Sequence, residues 1–88
     1  MYIVKFHKKA IKEITKLKEN KLDVKAKRLI EIIKENPYQN PPPYEKLVGD
    51  LKDLYSRRIN IQHRIIYQVN EADKVVKIVS LWSHYENV

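Results

Sequence analysis

Residues 54–69 read LYSRRINIQHRIIYQV. Leu54–Ile59 and His63–Val69 are strand-like runs, rich in β-branched and aromatic residues, and Asn60-Ile61-Gln62 lies between them as a short turn. A three-residue loop sets Ile59 against His63 and Arg58 directly opposite Arg64. Like charges opposed across two strands are destabilising. Either an anion between them or neighbouring carboxylates must offset that repulsion. Arginine suits the first option, because its guanidinium forks onto phosphate. Arg57 falls on the other side of its strand. It is expected to face away from this pair and to serve as its control.

Working outward, Asn70-Glu71-Ala72-Asp73 is turn-rich, and Lys74–Trp82 reads as a third long strand. Toward the N-terminus, Tyr2–Phe6 reads as a short strand. From Lys8 the period changes: Ala10, Ile14 and Leu17 share one helical face, and this helix should end near Asn20. A second helix begins near Lys21 or Leu22, with Leu22, Ala26, Leu29, Ile30 and Ile33 as its apolar stripe. Asn36-Pro37 stops it, since proline disfavours a helical residue before it. Residues 36–44 carry all four prolines of the chain and form an extended connector from the helices back to the sheet. The expected fold is therefore α+β. An N-terminal strand precedes a two-helix hairpin and an antiparallel three-stranded meander, in one sheet with the helices packed on it. The 88 residues are the length of a single domain, 1–88.

Charge is unevenly placed. Residues 1–34 hold 11 Lys/Arg and 4 Asp/Glu, whereas residues 35–88 hold 7 of each, so the whole net charge of +7 lies in the first part. A basic surface attracts phosphate backbones and acidic proteins without reading sequence, and a plain solvated helix face is as good an account of the lysines. Cysteine is absent, which excludes disulfides, thiolate metal sites and a thiol nucleophile. Nothing near Met1 reads as a signal peptide, and no apolar run approaches the roughly 20 residues that span a bilayer. A cytoplasmic protein without a membrane partner is expected.

The chain ends SLWSHYENV, residues 80–88. If Arg64 pairs with Ser80, His84 shares the face of Arg58 and Arg64, roughly 13 Å farther along the strand. A one-residue slip would turn it away. His7, His63 and His84 show no metal-binding spacing, and no cofactor is implied. Glu45, just after the prolines, sits where the loop rejoins the sheet. Taken singly, Glu45, His84 and Tyr85 read as ordinary surface or packing residues. Together with the arginines they match metal-free RNA cleavage. That chemistry needs a base for the ribose 2′-OH, cations for the phosphorane and an acid for the departing 5′-oxygen.

The stretch SRRINIQHRIIYQV, followed by SHY, closely resembles the YoeB/Txe toxins of the RelE/ParE superfamily. The likeness covers most of the chain and is strongest from Tyr44 to Tyr85. It implies a RelE-like fold and the toxin of a type II toxin–antitoxin system. It further implies a ribosome-dependent mRNA endoribonuclease that inhibits translation and is itself inhibited by a YefM-like antitoxin. By the resemblance Glu45, in YEKL, is the general base and His84 the general acid. Arg64, helped by Arg58, binds the scissile phosphate, and Tyr85 positions the RNA. The implied products are a 2′,3′-cyclic phosphate and a 5′-OH. The implied partners are mRNA on the ribosome and the antitoxin, with operator DNA met only as the toxin–antitoxin complex. Homodimerisation is within the family's range. Two rivals remain at this level. A ParE-like toxin of DNA gyrase shares the fold but has no need of an acid–base pair. A basic nucleic-acid-binding regulator fits the charge, but no helix-turn-helix signature is present.

Overall fold

The computed structural model describes residues 1–48 and 53–84. Tyr85, singled out in the sequence, lies outside the described residues. In chain order the elements are β1 (Ile3–Phe6), α1 (Lys8–Glu19), α2 (Asp23–Glu35), β2 (Glu45–Lys46), β3 (Leu54–Arg58), β4 (His63–Asn70) and β5 (Val75–His84). They form a five-stranded sheet of order β1-β5-β4-β3-β2 with the two helices packed on it. The expected α+β architecture is present. Two features extend it: β1 pairs parallel with β5, and β2 is a two-residue strand at the far edge.

The helices form where the apolar stripes predict. Ala10 and Leu17 of α1 and Ala26, Leu29 and Ile33 of α2 join Ile59, Ile65, Tyr67, Val76, Ile78 and Leu81 of the sheet in one core cluster. His7 caps α1, its Nδ1 accepting the Lys9 N–H at 3.2 Å. At the other end Lys21 takes φ 58°, the Leu22 N–H reaches the Leu17 carbonyl at 2.8 Å, and the Lys21 N–H reaches that of Lys18 at 3.1 Å. This is a Schellman closure with lysine where glycine is usual. It turns the chain from one helix into the next within three residues, Asn20–Leu22. Asn36 is extended at φ −157°, ψ 104°, as a residue before proline must be, and ends α2.

The connector is held from beneath by one side chain. Arg57 is 1% exposed. Its Nη1 donates to the Pro42 carbonyl at 2.6 Å, and its Nη2 to those of Pro37 and Gln39 at 3.0 and 2.8 Å. Its Nε donates to the Tyr67 hydroxyl at 3.1 Å, which in turn donates to the Pro37 carbonyl at 2.7 Å. A proline-rich segment has few N–H groups with which to pair its own carbonyls, and the guanidinium supplies the missing donors. Arg57 does face away from Arg58 and Arg64, as pairing requires. It is nevertheless no inert control, because the connector is built around it. Burial pushes the Tyr67 hydroxyl up to about 12 despite the nearby guanidinium.

The β3–β4 hairpin has the expected register, with Arg58 opposite Arg64 and the Ile59 N–H on the His63 carbonyl at 2.9 Å. Asn60 shapes the turn, its Oδ1 accepting the N–H groups of Gln62 and His63 at 2.9 and 2.7 Å. The β4–β5 register differs from expectation. Arg64 lies opposite Ser83, not Ser80. Pairing starts with Asn70 against Val75, which alone would put Arg64 opposite Leu81. Register shifts on either side of Ile66 then carry it two residues farther. Such bulges insert residues into one strand and free backbone groups from the ladder. Here Glu13 of α1 takes up the Leu81 N–H at 2.9 Å and the Ser80 hydroxyl at 3.1 Å.

The β4–β5 turn is tied to both earlier segments through Glu71. Its carboxylate accepts from Lys74 at 2.7 Å, from the Tyr2 hydroxyl at 2.9 Å and from the Tyr38 hydroxyl. Hydrogen bonds from Lys74, then Tyr38 and Tyr2, hold the Glu71 carboxyl down at about 2.

Two outcomes follow from these contacts. Arg57→Ala leaves three connector carbonyls short of a donor and is expected to lose about 3 kcal/mol or more of stability by urea unfolding. Arg57→Lys should recover little of it, because an ammonium cannot fork across the same four acceptors. The Glu71 carboxyl is more acidic folded than unfolded. Its contribution is therefore complete above about pH 4.5 and lost as pH falls through about 2. Wild type should accordingly exceed Glu71→Gln in stability at pH 6, with the difference closing between pH 4.5 and 2 in unfolding measured across that range. A constant difference would show that Glu71 is not ionised against these partners.

Candidate active site

Paired residues on neighbouring strands share a face of the sheet. Glu45 of β2 pairs with Ser56 of β3, Ser56 with Ile66 of β4, and Arg58 with Arg64. One face at this edge of the sheet thus carries a carboxylate, a hydroxyl and two guanidinium groups. Arg64 is buried, 3% exposed, on β4, the central strand of the sheet. Its Nη1 donates to the Ser56 Oγ at 2.9 Å and lies 3.5 Å from the Glu45 Oε2. The Glu45 carboxylate itself is open to solvent, as is Arg58. Pro43, Tyr44, Glu45, Ser56, Arg58 and Arg64 enclose a cleft of about 50 Å³. That is room for a few waters or one small anion.

This geometry answers the question raised by the opposed arginines. A neighbouring carboxylate does act, since Glu45 approaches Arg64. Yet Glu45 is exposed while Arg64 is not, so the cation is enclosed by the fold and the carboxylate is open to an incoming ligand. Ser56 was not singled out in the sequence. Its signal was available: it stands two residues before Arg58 on the same strand, and so on the same face. Held by Ser56, the Arg64 guanidinium is aimed before any ligand arrives.

His84 is placed differently from expectation. It pairs with His63, one position from the Arg64–Ser83 pair. It therefore stands with His63, not on the Arg64 face. The one-residue slip that turns it away is set at the turn, where Asn70 pairs with Val75 and brings Arg64 into register with Leu81 and not Ser80; the two register shifts around Ile66 add two residues and keep the face. The His84 and His63 rings meet edge to face, 4.7 Å between centroids and 81° apart. The other side of His63 stacks on Trp82 at 3.8 Å. His63 is 7% exposed, and its buried Nδ1 has no hydrogen-bond partner. Burial, then the adjacent His84, pushes the His63 imidazole below the ordinary histidine range. Of the expected residues, the structure brings together Glu45, Arg58 and Arg64. It sets His84 at the end of the adjacent strand, on the His63 side.

Among the described residues no three His, Asp or Glu side chains gather into a group able to hold a metal ion. Nor is any described helix long and apolar enough to cross a membrane.

Comparison with known proteins identifies the family. A toxin of Synechocystis sp. named YoeB is 34% identical over 68 residues, covering 77% of this chain and 77% of its own length. YoeB of Staphylococcus aureus superposes with a TM-score of 0.78 at 31% identity, over 97% of this chain and 99% of that one, in its heterotetrameric complex with YefM. The same toxin has also been solved as a dimer. RelE of Pyrococcus horikoshii, solved with RelB, superposes with a TM-score of 0.75 at 32% identity, over 92% of both chains. The sequence profile of the YoeB-like toxin of bacterial type II toxin–antitoxin systems matches residues 5–85. On that match, and on the shared fold and hairpin, the chain belongs to the YoeB-like toxin family.

Proposed function

We propose that the protein is a ribosome-dependent mRNA endoribonuclease, acting in the cytoplasm and silenced by a YefM-like antitoxin. The observation that carries this reading is the buried Arg64 guanidinium, aimed by Ser56, with the exposed Glu45 carboxylate 3.5 Å away across a small cleft. A carboxylate able to take a proton beside a buried cation able to meet charge is the pairing that cleavage by a 2′-OH uses.

Glu45 takes the proton of the ribose 2′-OH, and the oxygen attacks the adjacent phosphorus. Arg64 meets the charge that builds on the phosphorane, and Arg58 at the mouth of the cleft holds the phosphate on entry. As the O2′–P bond forms, the P–O5′ bond breaks, and by the family resemblance His84, which must reach the leaving 5′-oxygen from the His63 side of the strand end, gives it its proton. The products are a 2′,3′-cyclic phosphate and a 5′-OH. Tyr85 is assigned the positioning of the RNA. No step needs a metal ion or a cofactor. mRNA on the ribosome is the substrate. An acidic antitoxin segment suits the basic chain, net charge +7, and the YoeB–YefM complex of S. aureus supports such a partner. The S. aureus dimer supports self-association, and operator DNA is met only by the toxin–antitoxin complex.

Single-turnover cleavage on programmed ribosomes tests the assignment. Glu45→Ala and His84→Gln should each lower the rate about 10²- to 10⁴-fold. Arg64→Ala should lower it at least about 10²- to 10³-fold. Thermal melting alongside separates chemistry from folding, which matters most for buried Arg64. Wild-type rates from folded His84→Gln or Glu45→Ala would show that another pair of groups moves the protons.

A further inference from the structure

Lys5 and Lys77 are exposed cations of the sheet that the mechanism above leaves unused. They are direct partners in the parallel ladder of β1 and β5, so both side chains leave the same face at neighbouring positions. Like charges set opposite each other on adjacent strands are destabilising. Among the described residues no carboxylate offsets this pair, since neither lysine takes part in a salt bridge.

The register fixes which face this is. Lys77 pairs with Gln68, and Gln68 with Leu54. Gln68 stands four residues from Arg64 on β4, and Leu54 four from Arg58 on β3, along a stretch where these two strands pair without a shift. The lysines therefore share the face of Glu45, Arg58 and Arg64. The helices pack on the other face, that of Ile65, Tyr67 and Val69. Four residues of strand span roughly 13 Å, and Lys77 and Lys5 lie about 5 and 10 Å to the side, one and two strands over. Glu45 is the one carboxylate in the five described strands. One face thus carries two opposed pairs of cations, Arg58 with Arg64 at the cleft and Lys5 with Lys77 diagonally across from it. The uncharged Ser56, Ile66 and Gln68 lie between them.

We infer that Lys5 and Lys77 form a second phosphate site, which grips the backbone of the RNA strand a few nucleotides from the bond being cut. The role rests on the nuclease reading above and adds two residues that reading does not include. A phosphate between the two ammonium groups replaces their repulsion with attraction. Lysine binds phosphate as a point charge without a set geometry, which suits a grip on backbone away from the chemistry. The forked arginines stand instead where the phosphorane forms. An acidic protein segment could also meet two lysines. The face shared with the cleft, with exposed Gln68 between, favours the strand that enters the cleft. A contact so far from the reacting bond strengthens ground state and transition state alike.

The test uses Lys5→Gln/Lys77→Gln, with Lys12→Gln/Lys16→Gln at exposed positions of α1 as a control that removes equal charge. In single-turnover cleavage on programmed ribosomes, the toxin concentration for half-maximal rate should rise about tenfold in the first variant, with the maximal rate unchanged. The control should stay near the wild type. A single neutral methylphosphonate linkage, moved along the mRNA on both sides of the cut, should reproduce the loss at one position in the wild type. At that position it should cost the first variant nothing more. Thermal melting should place that variant at or above the wild type, because a repulsion has been removed. Unchanged half-saturation would overturn the site, and so would an equal loss in the control. A loss that couples to no mRNA linkage would assign the lysines to ribosomal RNA and overturn it too. So would weaker retention of the co-expressed antitoxin with cleavage unchanged, which would assign them to that protein. A variant that melts well below the wild type would show that the pair supports the sheet, and overturn the repulsion on which the site is argued. Absence of mRNA cleavage by the wild type would overturn the nuclease reading, and this role with it. Cleavage by the wild type with any of the other negative results overturns the role alone.

Discussion

The guanidinium of Arg57 is the interaction on which the rest of this structure leans. It replaces, from the side, the N–H donors that a proline-rich segment lacks, and so fixes the path from α2 back to the sheet. That path ends at Tyr44 and Glu45, where β2 pairs with β3. Tyr44 closes the arrangement from above, its ring 5.1 Å from the Arg57 guanidinium carbon. Without Arg57 the approach to the edge strand keeps only the Tyr67–Pro37 hydrogen bond and the Tyr38, Tyr44 and Tyr55 ring contacts, and the position of Glu45 relative to Arg64 is less firmly set. Alternation along β3 thus divides two adjacent arginines between two tasks. Arg57 points into the connector, and Arg58 points to the cleft.

A second constraint comes from β5, which carries more residues than regular pairing with β4 requires. The surplus is absorbed in bulges around Ile66, and the loosened backbone is secured by Glu13 from α1. This couples the lysine-rich helix to the geometry of the last strand. It also decides which histidines meet. With a regular ladder, His84 would be opposite no residue of its own kind. With the bulges it meets His63, and the ring stack with Trp82 follows.

Much of this was readable from the residues. The helices declared themselves through the Ala10-Ile14-Leu17 and Ala26-Leu29-Ile33 stripes and through the Asn36-Pro37 stop. The Arg58–Arg64 register followed from a three-residue turn, and an Asx-type contact from Asn60 makes that turn reliable. Two things were not readable. The bulges leave no periodic trace in Val75–His84, a run whose inward and outward residues are both largely apolar, so they account for two of the three residues by which the expected Arg64–Ser80 pairing fell short, the turn register for the third. The task of Arg57 depends on carbonyls 15 to 20 positions earlier, brought to it only by the tertiary fold. Of the site, Arg58 and Arg64 could be placed together by strand pairing, whereas Glu45 was joined to them only by chemistry and the family resemblance, because its two-residue strand was not foreseen. His84 could not be placed, because its face is set by a turn that pairs Asn70 with Val75, one residue away from the expected register.

The two halves of the cleft belong to elements of very different anchorage. Arg64 sits in a strand flanked on both sides, its neighbours Ile65 and Tyr67 wholly buried. Glu45 sits on a two-residue strand with one neighbour and a solvent-facing edge. Elements of the first kind open only when the molecule unfolds, whereas elements of the second kind open locally at small cost. Amide hydrogen exchange therefore has to be slow along β4 and fast at Glu45 and Lys46. The protein can detach its carboxylate from its cation and remain folded, so the cleft can be disassembled reversibly at a free energy far below that of global unfolding.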